Sequence, residues 1–198
     1  MTKAFVIGNG TSRAGFDLGL LRDKGIIYGC NRLYQDTHVD VLVSVDPGMS
    51  YEIQDSGYSK DHKHYCRYPR HDEETGALDI PPEIYGWSSG PAAVWMAAQQ
   101  TDITDVYLLG FDFVGLSSHP SMTKKANNMY AGTEFYITED HPETYFGNWV
   151  QHVGEVHDMM AKMNKNLYIV GRMTNFKTDR MPNLIDVDYE KFRDQLNT

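Results

Sequence analysis

Hydrophobic positions along the chain form short, nearly continuous runs that alternate with longer segments of helical spacing. The run at 39–45 is the clearest predicted strand, because it is β-branched and almost wholly apolar. Further strands are predicted at 3–7, 25–28, 64–68, 105–109 and 167–170. Helices are predicted at 16–22, 91–100, 149–163 and 189–196. This alternation predicts one α/β domain over residues 1–198, a three-layer αβα Rossmann-like fold with a mainly parallel sheet.

Two regions interrupt the alternation. Residues 72–85 are polar and contain proline, so a loop is predicted there. Residues 115–146 combine small, polar and aromatic side chains without a clear period. A connection of this length in a compact domain is typical of a functional lid, and 115–146 is therefore predicted to be a lid-like insertion.

Composition narrows the classes of partner. Apolar residues make up 41% and charged residues 23% of the chain, as in ordinary globular proteins. A net charge of −9 argues against a nucleic-acid partner, which would require a basic face. Neither a membrane span nor a signal peptide is predicted, and two cysteines suit a reducing compartment. The expected location is cytoplasmic, and formation of a homo-oligomer stays open.

A glycine turn follows the first predicted strand and precedes a predicted helix. Its residues are Gly8, Asn9, Gly10, Thr11 and Ser12. Glycines allow the backbone to approach a ligand closely, and the free N–H groups of a helix start favour an anion. Thr11 or Ser12 is expected to cap that helix and to donate to a phosphate. A tight turn without any ligand is the alternative.

Two common nucleotide sites do not fit this turn. Arg13 occupies the position of the third glycine of the dinucleotide fingerprint. The second strand is followed by Cys30 and Asn31, with no acidic residue for a ribose diol. A P-loop is also missing, because the sequence contains no Gly-Lys-Ser/Thr.

Four segments resemble, in order, the motifs of the bacterial sialyltransferases of glycosyltransferase family 42. They are Ile-Gly-Asn-Gly-Thr-Ser at 7–12, Cys-Asn-Arg-Leu-Tyr at 30–34, Ser-Ser-Gly at 88–90 and Val-Tyr-Leu-Leu-Gly-Phe-Asp-Phe at 106–113. A weaker likeness covers Tyr-Phe-Gly-Asn at 145–148. The segments are also similar to the related motility accessory factors and archaeal pterin pyrophosphokinases.

The resemblance implies a pocket for a cytidine nucleotide-sugar, which is used as a substrate without a cofactor or a metal. Asn9 and Asn31 would contact its phosphate and sugar, and Ser88 and Ser89 would contact the nucleotide from a helix start. Asp46 stands where the family tends to have an asparagine, and an aspartate there accepts from a ribose hydroxyl. The full predicted nucleotide-binding set is Gly8, Asn9, Gly10, Thr11, Ser12, Asn31, Asp46, Ser88, Ser89, Gly90 and Asp112.

The catalytic residues of the family are replaced here. Asn148 stands in place of the general-base histidine, and an amide accepts no proton at neutral pH. Val114 and Gly86 replace a tyrosine and an arginine. His152 and Glu155 share a helix face with Asn148, so His152 is a candidate displaced base oriented by Glu155. The alternative is an ordinary half-buried helical histidine.

Other polar residues have simpler interpretations. Tyr130 and Tyr136 in the predicted lid are candidates for the lost phenol, or for packing alone. His62 and His64 alternate on a weak strand and are predicted to be solvated, since two histidines do not make a zinc site. The Asp-Val-Asp at 186–188 is predicted to be a turn that caps the last helix.

Three functions remain open. The first is a glycosyltransferase-like enzyme that transfers a sugar by inversion from a cytidine nucleotide to a glycan or other acceptor. The second is a pterin-type pyrophosphokinase that uses ATP and Mg²⁺, with Asp46 and Asp112 as candidate ligands. The third is a nucleotide- or glycan-binding domain without catalysis.

Overall fold

The computed structural model describes residues 2–115, 124–143, 146–172 and 179–197, and of residues 146 and 147 only the backbone. The described residues form one eight-stranded sheet. Its strands are β1 Thr2–Ile7, β2 Ile26–Cys30, β3 Val41–Ser44, β4 Lys63–Cys66, β5 Leu78–Asp79, β6 Ile103–Leu109, β7 Asn166–Val170 and β8 Ile185–Val187. Their spatial order is β5-β4-β3-β2-β1-β6-β7-β8, and every pairing is parallel. The strand order reverses between β1 and β6, which is where doubly wound sheets bind ligands.

Helices cover both faces of this sheet. They are α1 Pro47–Asp55, α2 Tyr58–Asp61, α3 Ser89–Gln99, α4 Phe146–Lys162 and α5 Tyr189–Leu196. Ala4 and Val6 of β1 pack in the core with α3 and α4, whereas Phe5 and Ile7 pack in the core with α1 and α5. The predicted three-layer α/β fold is therefore confirmed. None of the helices in the described ranges combines the length and the apolar character that crossing a membrane requires.

The helix α3 lies close against the central strands because its inward face is made of small residues. Its four alanines that pack in this core are all fully buried: Ala92, Ala93, Ala97 and Ala98. Small side chains let the helix backbone approach β1, β2, β3 and β6. This packing fixes the start of α3 beside the carboxyl ends of those strands.

The prediction of a helix at 16–22 is wrong. The structure has two short 3-10 turns instead, Thr11–Arg13 and Leu18–Leu21. Gly15 lies between them in the left-handed region at φ 81°, and Asp17 caps only the second turn. The sequence patterns also missed α1, α2, β5 and β8, and β5 lies inside the predicted loop at 72–85.

Two predictions about polar residues have opposite outcomes. The prediction that His64 is solvated is wrong, since the residue is 0% exposed. Its imidazole makes hydrogen bonds of 2.8 Å with Ser44 Oγ and 2.7 Å with Ser59 Oγ, which offset the cost of burial. Asp188 caps α5 as predicted, because its carboxylate accepts from the backbone N–H of Lys191, but the prediction of a turn at 186–188 is wrong for Asp186 and Val187, which belong to β8.

Candidate functional site

A cavity of about 680 Å³ lies at the carboxyl ends of β1, β2, β3 and β6. This volume is in the range of small-molecule sites. Most of the predicted nucleotide-binding residues line it, namely Gly8, Asn9, Gly10, Asn31, Asp46, Ser88, Ser89, Gly90 and Asp112. Thr11 and Ser12 are not among the lining residues. The structure thus brings together residues from the exits of four strands and from the start of α3.

The turns after β1 and β6 lie directly against each other. The N–H of Gly8 donates to Leu109 O at 2.7 Å, and the N–H of Gly10 donates to Gly110 O at 2.9 Å. A Cβ on Gly8 would lie 2.6 Å from Gly110 O, which is too close for any side chain. These glycines therefore allow two backbones to meet.

The last two backbone amides of the glycine turn have partners within the protein. The N–H of Thr11 donates to Asn127 Oδ1 at 2.9 Å, and the N–H of Ser12 donates to Asp112 Oδ2 at 3.0 Å. Since no α-helix starts here, the predicted anion site at a helix start is not formed at this turn. Side-chain acceptors take the place that an anion was expected to occupy.

Two other helix starts face the cavity. Asp46 precedes α1 and Ser88 precedes α3, and neither side chain caps its helix. The Ser88 hydroxyl instead accepts from Trp149 Nε1 at 2.6 Å. Helix N-termini carry partial positive charge and unpaired N–H groups, so they favour an anion. Burial raises the pKa of Asp46, and the positive charge of Arg67 opposes this shift.

Asn31 links three elements at the centre of the cavity wall. It has a left-handed backbone at φ 55°, a conformation that asparagine tolerates better than most residues. Its amide oxygen accepts from Ser89 Oγ at 3.0 Å, and Ser89 Oγ accepts from the Val45 N–H at 3.1 Å. Its amide nitrogen donates to Tyr136 Oη at 2.8 Å. The exits of β2 and β3 are thereby tied to the start of α3.

Residues 124–143, here called the cover segment, form part of the cavity wall. This segment contributes Asn127, Asn128, Tyr136 and His141 to the lining. It is attached to the glycine turn by a 2.8 Å bond from the Met129 N–H to Asn9 O. The remaining parts of the predicted lid, 116–123 and 144–145, lie outside the described residues.

Comparison with protein-family models, with curated proteins and with solved structures found no match to this chain. The resemblance to the sialyltransferases therefore rests on the four sequence motifs.

The predicted catalytic residues on α4 do not line the cavity. His152 stacks on the Trp87 indole with ring centroids 4.4 Å apart, and Trp87 is itself a lining residue. Burial lowers the pKa of His152, although the charge of Glu155 opposes this. Glu155 is exposed and accepts from Gln151 Nε2 at 3.1 Å, while Asn148 is exposed. The Tyr145 of the resembling motif lies outside the described residues.

His141 is a lining residue that sequence reasoning missed. Its Nδ1 lies 2.8 Å from Pro142 O, so Nδ1 carries the proton and Nε2 is left as an acceptor. Arg67 and the asparagines Asn127 and Asn128 were also missed. No sequence signal singles out His141 or the two asparagines, because the cover segment has no regular period.

Cys30 is expected to be a poor nucleophile, although it lines the cavity. Its thiol donates weakly to Ile7 O at 3.5 Å and to Asn9 Oδ1 at 3.7 Å. Burial raises the pKa of the thiol to about 12, so the nucleophilic thiolate is scarce at neutral pH.

Within the described ranges, no group of three or more His, Cys, Asp or Glu side chains is arranged to hold a metal ion.

Proposed function

We propose that this chain is a glycosyltransferase-like protein that binds a cytidine nucleotide-sugar, as the sialyltransferases do, without a metal. One observation carries the proposal: the starts of α1 and α3 and the amides of Asn9 and Asn31 face one cavity at the switch point of the sheet. Helix starts bind phosphate without requiring a cation. Amide groups recognise base edges and hydroxyls without adding charge.

The aromatic side of the cavity suits the rest of such a ligand. Trp87, Trp149 and Phe111 line it, next to the start of α3. Flat apolar surfaces of this kind pack against nucleobases and the apolar faces of sugars. In the proposed pose the phosphate lies at the two helix starts and the base or sugar lies along these rings.

We expect cytidine monophosphate to raise the melting temperature in the presence of a chelator. At one hundred times its Kd, a ligand adds about 2.7 kcal/mol to the free energy of unfolding, which corresponds to roughly 5–10 °C for a chain of this size. Asn31→Ala should lose the shift, because it removes both the ligand contact and the bond from Ser89. Differential scanning calorimetry provides the measurement. No shift with cytidine monophosphate, at concentrations up to several millimolar, would contradict the proposal.

Within this function, we propose His141 as the base, because it lines the cavity. Its Nε2 would take the proton of the acceptor hydroxyl while the acceptor oxygen bonds to the anomeric carbon of the donor sugar. The bond from that carbon to the phosphate oxygen breaks, and cytidine monophosphate leaves with the electron pair. Attack from the face opposite the phosphate inverts the anomeric centre. His152 stays the alternative base, since its ring lies against the lining residue Trp87.

The two histidines can be separated by a pair of variants. His141→Ala should lower the rate of donor turnover by about 100-fold or more, the usual contribution of a general base, with the affinity for cytidine monophosphate unchanged. His152→Ala should retain turnover. The measurement is release of cytidine monophosphate from the donor, with and without acceptor sugars. Loss of turnover in His152→Ala alone would mean that His152 on α4, rather than His141, is the base. Absence of turnover in wild type would favour the binding domain without catalysis.

One observation favours the pyrophosphokinase as a second candidate. Asp112 Oδ1 is buried and has no hydrogen-bond partner in the described part of the chain, and Asp46 lines the same cavity. Two carboxylates together with substrate phosphates are an ordinary Mg²⁺ site. If this candidate is correct, ATP with Mg²⁺ raises the melting temperature and ATP with a chelator does not.

A further inference from the structure

Three side-chain amides of the cavity point at one oxygen atom. The Nδ2 atoms of Asn9, Asn31 and Asn128 lie 3.1, 2.8 and 3.1 Å from Tyr136 Oη. The orientation of each amide is set from its other end. Their oxygens accept from Cys30 Sγ, from Ser89 Oγ and from the backbone N–H of Tyr130, respectively. All three NH₂ groups are therefore held toward the same point by protein contacts.

A tyrosine hydroxyl is a poor occupant of such a point. A neutral phenol oxygen has two lone pairs, so it does not fully satisfy three N–H donors. Burial raises the pKa of Tyr136 to about 12, so the group is neutral at pH 7. A charged oxygen would form hydrogen bonds that are shorter and roughly twice as strong. The donor arrangement is thus better matched to an anion than to the group that occupies it.

We propose that Asn9, Asn31 and Asn128 form a binding site for one phosphate oxygen, and that the Tyr136 hydroxyl occupies this site until a phosphorylated ligand displaces it. The inference rests on the proposed function in placing a phosphate in this cavity. It adds Asn128 to the binding residues and makes the cover segment a competitor of the ligand.

The backbone around Tyr136 is suited to such a displacement. Phe135 has a left-handed φ of 58°, which is strained for an aromatic residue, and its side chain is 63% exposed. Gly132 has a φ of 83° and closes the turn by donating to Ile137 O at 2.8 Å. In this proposal the 132–137 turn rearranges, and the bond from the Met129 N–H to Asn9 O lies outside that turn.

The first test is Tyr136→Phe, which removes the competing hydroxyl and keeps the ring. Titration calorimetry with inorganic phosphate and with cytidine monophosphate should show about tenfold tighter binding than in wild type. Tyr58→Phe is the matched control, because its hydroxyl donates to Val39 O and the residue lies outside both the cavity lining and the cover segment. Its affinities should match those of wild type. Equal or weaker binding of both ligands by folded Tyr136→Phe would overturn the proposal.

The second test uses the unaltered protein and does not depend on a variant that folds. Hydrogen exchange of the Gly132 and Tyr136 amides, which now donate to Ile137 O and Thr133 O, should become faster when phosphate is added. Slower exchange would mean that the anion binds beside Tyr136 and stabilises the turn, which contradicts displacement.

The two proposals fail in different ways. If phosphate binds more tightly to Tyr136→Phe than to wild type, but cytidine monophosphate binds no more tightly than phosphate, the oxygen site is supported and the proposed ligand is rejected. If neither ligand binds more tightly to Tyr136→Phe than to wild type, and cytidine monophosphate binds more tightly than phosphate to both proteins, the ligand is supported and the displacement is rejected. If folded Tyr136→Phe binds neither phosphate nor cytidine monophosphate, the oxygen site is rejected.

Discussion

Gly10→Ala is expected to destabilise the protein by about 2 kcal/mol and to abolish binding of cytidine monophosphate. A Cβ at this position would lie 2.6 Å from Gly110 O and even closer to the Asp112 carboxylate. The backbone oxygen cannot move without separating the turns after β1 and β6. Asn9 would then move away from Asn31 on the cavity wall. Calorimetry should show a melting temperature lower by roughly 4–8 °C and no shift with the nucleotide.

The matched control is Gly48→Ala, which also adds one methyl group to a lining residue. A Cβ there meets its nearest neighbour, Phe135 O, at an ordinary 3.8 Å. Gly48 lies in α1, where alanine is favoured over glycine by about 1 kcal/mol. Its melting temperature should therefore equal or exceed that of wild type. A Gly10→Ala protein as stable as Gly48→Ala would mean that the two turns are free to separate.

The layered fold was predictable because it depends on apolar runs. The strands at the centre of the sheet are continuous and β-branched, and α3 has Pro91 in its first turn followed by alanines. The missed elements lack these signals. β5 has two exposed residues, and β8 is exposed at two of its three positions. The start of α1, Pro47-Gly48, has the composition of a turn, because glycine disfavours helices. Proline is tolerated there because it is suited to the first position of a helix.

The site was predictable as far as the sheet determines it. Asn9 and Asn31 converge because parallel strands place their carboxyl ends at one edge, and Ser89 joins them because α3 packs against those strands. From the cover segment the sequence named Tyr136 only as a candidate phenol, and it did not indicate Asn128, because both residues reach the site through turns rather than through a periodic element. Long-range contacts of this kind leave no pattern in the local sequence.

Arg13 has a structural role that the sequence did not indicate. The sequence marks it only as a missing glycine of the dinucleotide fingerprint. In the structure Arg13 is buried, and its guanidinium donates to Gly8 O at 2.8 Å and to Tyr130 Oη at 3.0 Å. The Tyr130 hydroxyl donates in turn to Asp36. Arg13 therefore ties the glycine turn to the cover segment.

The buried imidazole of His64 should make stability strongly dependent on pH. Burial lowers its pKa from 6.5 to about 4, and its hydrogen-bond partners Ser44 and Ser59 are uncharged. Between these two values the unfolded chain binds a proton at this residue and the folded chain does not. The free energy of unfolding therefore falls as the pH drops from 6.5 to about 4, and it is unaffected by His64 above pH 6.5.

The expected loss attributable to His64 is about 2 kcal/mol at pH 5 and about 3 kcal/mol at pH 4. Urea unfolding at pH 7.5, 6, 5 and 4 should show this extra loss in wild type relative to His64→Gln, because glutamine has no titrating group. Carboxylates titrate in both proteins, so the difference isolates the imidazole. His62→Gln is the control, since His62 is exposed one residue before β4, and it should keep the pH dependence of wild type. Parallel curves for wild type and His64→Gln would mean that His64 takes up its proton without unfolding the protein, and that its two serine contacts do not hold it neutral.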